Sequence, residues 1–188
     1  MNKLTTHVLI LLFTALMIAA PVKAEAATIS GSRPLAGFSK ALEDYYTNLG
    51  PEDPNIMADL LVKAEEAKRQ NEILCRIVEA EATGGTIDQK MNVASCVLAR
   101  VASPDWPDTI EGVVFQPKQF SPISDGRYYT VTITEDTREA VDIVKQEGWT
   151  HDYTFFCADC ASYRTGWFST LKEFYFDGMH HYFTGEKK

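Results

Sequence analysis

Ile73 to Gly85, ILCRIVEAEATGG, decides the fold, because it places a carboxylate on the apolar face of a helix. Ile73, Leu74, Ile77 and Val78 recur at the three- and four-residue spacing of one helical face, and Glu81 continues that stripe from Ile77 and Val78. The spacing predicts that the acid faces inward. Burying a carboxylate disfavours its charged form and raises its pKa, which suits a group that must deliver a proton near neutral pH. The competing reading is a helix-terminal Glu paired with a Lys or Arg. Glu79 falls off the stripe and is expected in solvent.

Working outward, Gly84-Gly85 stops this helix, and Thr86-Ile87-Asp88-Gln89 has the form of a capping box that starts the next. That second helix carries Ile87, Met91, Ala94, Leu98 and Val101 on one face, as a core helix does. Upstream, the amphipathic run Pro51 to Gln70 can continue into the Glu81 helix, and Ser39 can cap a short helix to about Leu49. Downstream, Ser103 to Pro107 breaks the second helix, and Asp108 is expected to cap a short turn through Val114. Gln116 to Tyr129 reads as a long polar loop of the kind that is usually functional or disordered, and Thr134 to Glu147 as a helix ended by Gly148. Beyond it the period changes: Tyr153 to Phe156 is β-like, and Lys172 to Phe176 and His180 to Phe183 flank the hairpin signal Asp177-Gly178. The expected class is α+β, mainly helical with a small antiparallel sheet near the C-terminus. The aromatic residues there are either the packed face of that sheet or a platform for sugar rings.

At the N-terminus, Lys3 and His7 precede the apolar run Val8 to Ala20, and small residues after Pro21 offer cleavage sites around Ala24 and Ala26. Residues 1–26 are expected to be an export signal, residues 27–70 a linker and helical extension, and residues 71–188 the catalytic domain. The apolar run is shorter than the roughly 20 residues of a membrane span, so no stable span is expected after processing. A formal net charge of −8 argues against a nucleic-acid partner, although a cleft around Arg76, Arg100 or Arg127 can still be locally positive. In an exported chain, four cysteines most simply form two disulfides, for which three connectivities exist; if the flanking helices fold back antiparallel, Cys75 stands opposite Cys96 and leaves Cys157 to pair with Cys160. Cys157-Ala158-Asp159-Cys160 is also the spacing of half a zinc site, with His151, His180 and His181 as its available partners, or of a redox dithiol. The expectation is no metal and no cofactor.

Taken together, ILCRIVEAEATGG, NVASCVLARV, TIEGVVFQPKQFS and GMHHYF, in that order and at these distances, resemble the bacterial cell wall hydrolase family of the spore cortex-lytic enzymes. The match runs roughly from Glu72 to Phe183, and QPKQFS beside the Glu-Ala helix is its most specific part. The resemblance implies a lysozyme-like α+β domain that cleaves peptidoglycan glycan strands between N-acetylmuramic acid and N-acetylglucosamine, as a lytic transglycosylase. Its catalytic Glu falls on Glu81. A glycoside hydrolase typically uses two carboxylates, whereas a lytic transglycosylase can act with one, and no second acid stands out here by motif. Gln119, Phe120 and Ser121 are then expected to line the cleft and His180 to match a position often His in the family. The sequence departs from the family pattern at Ala99, at Gly85 and around Cys157-Ala158-Asp159. The implied setting is a secreted monomer in the cell wall or spore envelope. The rivals are a hydrolytic muramidase on the same fold and a non-catalytic wall-binding module.

Overall fold

α1, Pro54–Glu81, is one unbroken helix, so the amphipathic run before Gln70 and the Glu81 segment are a single element. The computed structural model describes residues 54–148 and 152–188; the expected export signal and the short helix from Ser39 lie outside them. The chain divides into two units, Met1–Lys68 and Arg69–Lys188. In the first, the described residues belong to α1 and carry an exposed ion pair between Lys63 and Asp59 at 2.7 Å. Among the described residues no helix is long and apolar enough to cross a membrane.

The second unit is built on α2, Ile87–Ala102, whose start is fixed by chemistry local to the turn. Thr86 Oγ1 accepts from the Gln89 N–H at 3.3 Å, and Gln89 Oε1 accepts from the Thr86 N–H at 2.9 Å, so the expected capping box is present. Gly84 takes φ +73, a conformation glycine adopts without penalty. Gly85 is required for a different reason: a Cβ there would lie 3.0 Å from the Ala82 carbonyl and 3.2 Å from Met179 Cε. After α2 come α3 (Ile110–Val114), α4 (Ser121–Asp125), α5 (Arg127–Thr130) and α6 (Glu135–Glu147). Thr109, not Asp108, caps α3, its hydroxyl accepting from the Gly112 N–H. The segment read as a polar loop from Gln116 to Tyr129 thus contains two short helices, each too brief to leave a periodic signal.

Apolar residues of α1, α2, α3 and α6 close one core, including Leu74, Ile77, Val78, Val93, Val97, Val113, Val114, Val141 and Val144. A three-stranded antiparallel sheet follows, with β1 (Phe155–Ala158) and β2 (Tyr175–Phe176) flanking β3 (His180–Phe183) in the order β1-β3-β2. Phe155 pairs with Phe183 and Tyr175 with Tyr182, while a helical turn, α7 (Ala161–Thr165), and a 3-10 turn, Trp167–Thr170, connect β1 to β2. The fold is therefore the expected α+β one, mainly helical with a small sheet near the C-terminus.

Asp177 fastens this sheet to the helices. Its Oδ1 accepts the N–H groups of Met179 and His180 at 2.8 and 2.7 Å, closing the hairpin turn. Its Oδ2 accepts from Asn92 at 3.2 Å and from the Tyr182 hydroxyl at 2.9 Å, and its carbonyl accepts from Gln89 at 3.0 Å. The turn of the hairpin is thereby held against the start of α2, beside the Gly84-Gly85 turn that follows Glu81.

The expected disulfides are absent: all four cysteines are free thiols. Cys75 lies in the main core on the side where Arg138, Asp142 and Lys145 of α6 act on it, whereas Cys96 belongs to a separate cluster with Tyr153 and Tyr182 under the sheet. The phases of the two helices turn these side chains toward different neighbours. Cys157 sits in β1 opposite His181 while Cys160 is exposed beyond the strand end. Burial first, then the charges of Cys160, Glu173 and Asp159, push the Cys157 thiol up to about 12, which keeps it from acting as a thiolate near neutral pH. Among the described residues no group of three or more His, Cys, Asp and Glu is placed to hold a metal ion.

Candidate active site

Glu81 is the last residue of α1, partly buried at the point where the chain turns through Gly84 and Gly85. Burial raises its carboxyl from the ordinary 4.5 to about 7; Arg127 and Arg100 pull in the opposite direction, and Asp125 reinforces the rise. The acid therefore keeps its proton to higher pH than an ordinary carboxyl does, and the protonated form is the state from which it can donate.

Arg127 builds one wall beside it. Its Nη1 donates to the Ala80 carbonyl at 2.9 Å, its Nη2 to Ser121 Oγ at 3.0 Å, and its Nε to Asp125 Oδ2 at 3.0 Å. One side chain thus ties the end of α1 to both ends of α4. Arg127 in turn holds the Asp125 carboxyl below its ordinary range, through side-chain and backbone hydrogen bonds. Asp125 is a second carboxylate in the electrostatic field of Glu81 that sequence reasoning missed, because nothing in SPISDG marks it before the segment folds.

The four other residues expected at the site separate into two kinds. Gln119 is exposed on a turn where Lys118 adopts φ 67, a left-handed conformation that costs a non-glycine residue roughly 1 kcal/mol. Ser121 is exposed and joined to Arg127. Phe120, by contrast, is buried, tilted against Phe156 with ring centroids 6.1 Å apart. His180 is also buried, its ring edge-on to Phe156 at 5.2 Å, and burial lowers its pKa, so it sits as a neutral core side chain. Its Nδ1 has no hydrogen-bond partner among the described residues. Of the arginines named from sequence, Arg100 and Arg127 act on Glu81, whereas Arg76 pairs with Glu72 at 2.8 Å.

Glu79 corrects the sequence reading most sharply. It is buried, not solvated: only 3% of its surface is exposed. Its Oε2 accepts from the Thr134 N–H at 3.1 Å, the Thr134 hydroxyl at 2.7 Å, the Thr137 hydroxyl and Lys90 Nζ at 3.4 Å. Burial alone would raise its pKa, but the hydroxyls of Thr137 and Thr134, the Thr134 N–H and Lys90 hold it below the ordinary range. Glu79 is thus a fixed anion that caps α6, and Glu81 is the acid free to exchange a proton.

An α+β domain that sets a carboxylic acid of raised pKa at a helix end, between a short-helix segment and a hairpin, has the make-up of a small acid-bearing enzyme domain. The chain belongs to the cell wall hydrolase family, whose model matches residues 84–184, more than half of its length. That span begins just after Glu81. The spore cortex-lytic enzyme of Oceanobacillus iheyensis is 30% identical over 125 residues, covering 63% of this chain and 44% of that protein. The one from Halalkalibacterium halodurans is 32% identical over 90 residues, covering 48% and 27%. The chain therefore spans less than half the length of these relatives. Among solved structures, the catalytic domain of the Bacillus cereus SleB protein superposes with a TM-score of 0.54 at 27% identity, covering 62% of this chain and 90% of that one. The catalytic domain of the germination-specific lytic transglycosylase SleB from Bacillus anthracis gives 0.53 at 26% identity, covering 61% and 93%.

Proposed function

We propose that this protein cleaves peptidoglycan glycan strands between N-acetylmuramic acid and N-acetylglucosamine as a lytic transglycosylase, with Glu81 as its single acid–base group. The observation that carries the reading is the Glu81 carboxyl, raised by burial to about 7 at the end of α1 beside Arg127. Its proton passes to the glycosidic oxygen as the bond to the anomeric carbon breaks. The carboxylate then takes the proton of the muramoyl C6 hydroxyl as that oxygen attacks the same carbon, giving a 1,6-anhydro end. No water is consumed. The Bacillus anthracis neighbour is itself a lytic transglycosylase, which supports this route. The protein acts in this reading as a secreted monomer in the cell wall or spore envelope, without metal or cofactor.

Asp125 supports a second reading, hydrolysis, in which it activates water for the attack. Its carboxylate already accepts from Arg127 twice, Nε–H on Oδ2 and the backbone N–H on Oδ1, and stands in an ion pair with the same guanidinium, and this favours the first reading. Mass spectrometry of digested peptidoglycan separates the two, since a reducing end is heavier than an anhydro end by one water, about 18 mass units. Anhydro ends are expected, and Asp125→Asn is expected to leave the product unchanged. Reducing ends that vanish in Asp125→Asn would establish the hydrolytic route.

For the QPKQFS segment, Gln119 presents its amide to the glycan in this reading. Gln119→Ala is expected to cost about 5- to 150-fold in catalytic efficiency, the scale of one lost hydrogen bond in the transition state, with no change in melting temperature. Phe120→Ala is expected to lower stability by about 3–5 kcal/mol, because it empties a buried site. Thermal melts and turnover of both variants check the pair; a silent Gln119→Ala would remove that side chain from the site.

A further inference from the structure

We propose that Arg127 is a positioning residue for glycan cleavage, locking the turn that carries Gln119 to the end of α1 that carries Glu81. The proposal rests on the reading of Glu81 as the acid and of Gln119 as a contact to the glycan. Three acceptors meet one guanidinium: the Ala80 carbonyl on Nη1 at 2.9 Å, Ser121 Oγ on Nη2 at 3.0 Å and Asp125 Oδ2 on Nε at 3.0 Å. Ala80 is bonded to Glu81, and Ser121 stands two places after Gln119. Each end of the lock is thus within two residues of a group the reaction uses.

The fork is aimed by its own neighbours. Gly126 takes φ 89, which turns the chain between α4 and α5, and Asp125 then grips Arg127 twice, Oδ1 accepting the backbone N–H and Oδ2 the Nε–H, both at 3.0 Å. The Nη1 and Nη2 hydrogens are left for Ala80 and Ser121. Stability alone is a poor explanation of this arrangement, because the Arg127–Asp125 pair is about half exposed and exposed ion pairs contribute little. The segment also has apolar anchors of its own in Phe120, Pro122 and Tyr128, all buried. Those anchors leave the exposed rim at Gln119 and Ser121 to be placed by something else. Among the described residues, the bond from Arg127 to the Ala80 carbonyl is the one hydrogen bond between residues 116–130 and α1. Lys118, just before Gln119, holds φ 67, a conformation that a non-glycine residue keeps only where its surroundings impose it. Through Ser121, Arg127 constrains that turn from its far side.

The reaction needs a proton donor on α1 and an amide on the turn after Lys118 to share one frame. A misplacement of about 1 Å can cost about 100-fold in rate. Arginine suits the task because its planar fork presents donors in fixed directions, whereas lysine offers a single ammonium on a flexible stem.

The test uses Arg127→Gln, Arg127→Lys and the parent, each with and without Gln119→Ala. Arg127→Gln is expected to lower kcat on peptidoglycan by about 5- to 100-fold with KM within about twofold, since the group it displaces acts in the transition state. Arg127→Lys is expected to stay near the Gln variant; full recovery would show that charge, not the fork, is what matters, and would overturn the proposal. Gln119→Ala is expected to cost less than about threefold once Arg127 is Gln, because the two residues act through one placement. Equal costs in both backgrounds overturn the proposal alone, and no cost in the parent removes Gln119 and the proposal together. A readout independent of activity is the amide NMR spectrum of Arg127→Gln. Shifts are expected at Gln119, Phe120 and Ser121 and at Glu81 and Ala82, with Val93 and Val97 of the core unmoved; an unchanged spectrum at Gln119–Ser121 overturns the proposal whatever the turnover. Cleavage that survives in Glu81→Gln would instead overturn the acid itself, an outcome the spectra cannot produce.

Discussion

Glu81→Gln is expected to reduce glycan cleavage by about 100-fold or more, the scale of losing a general acid, while the protein stays folded. The same substitution is expected to make the protein more stable above neutral pH. The folded carboxyl titrates near 7 against an ordinary 4.5, so between those values the folded state holds a proton that the unfolded chain has released. Stability linked to Glu81 is thus present at acid pH and lost as pH rises through 7. The loss is about 2–3 kcal/mol after allowance for partial exposure. Glutamine cannot ionise and escapes it. Denaturant unfolding at pH 4 and pH 8 checks the sign: the two proteins should match at the lower pH and the variant should lead at the higher. A parent that is the more stable at pH 8 would mean that the buried acid is not the titrating group.

Glu79→Ala is expected to have the larger structural effect, a loss of about 3–5 kcal/mol, because it leaves the buried Lys90 ammonium without its anion and strips the cap from α6. Its pH dependence runs opposite to that of Glu81. The Glu79 carboxyl is held below its ordinary range, so its contribution is present above that range and is lost as pH falls through the depressed folded value. Urea unfolding across acid pH measures this, with pH–activity curves alongside. An alanine variant as stable as the parent but inactive would transfer the acid role to Glu79.

The two glutamates also show what the sequence can and cannot reveal. The stripe through Ile77 and Val78 points to the burial of Glu81 because that burial follows from one helical face. Glu79 escapes the same reading because α1 is covered on more than one side there: Cys75, Ile77, Val78 and Ala80 are all fully buried. A single-stripe argument says nothing of the opposite face, and the partners that make burial of Glu79 tolerable, Lys90, Thr134 and Thr137, come from other parts of the chain. The cap at Thr86 and the Asp177-Gly178 turn are legible because their chemistry is local. The two short helices after Phe120, the charge pair at Asp125 and the separation of Cys75 from Cys96 are not, since each depends on which face meets which neighbour in three dimensions.

The attachment of the hairpin by Asp177 has a consequence for the order in which the domain is made. Its bonds to Gln89 and Asn92 span 88 and 85 residues, so the hairpin cannot dock on the start of α2 until nearly the whole chain is available. The helices can gather earlier, around contacts nearer in sequence, but the sheet joins them late. A chain interrupted before Asp177 is therefore expected to carry every side chain of the acid and its arginines and still be inert.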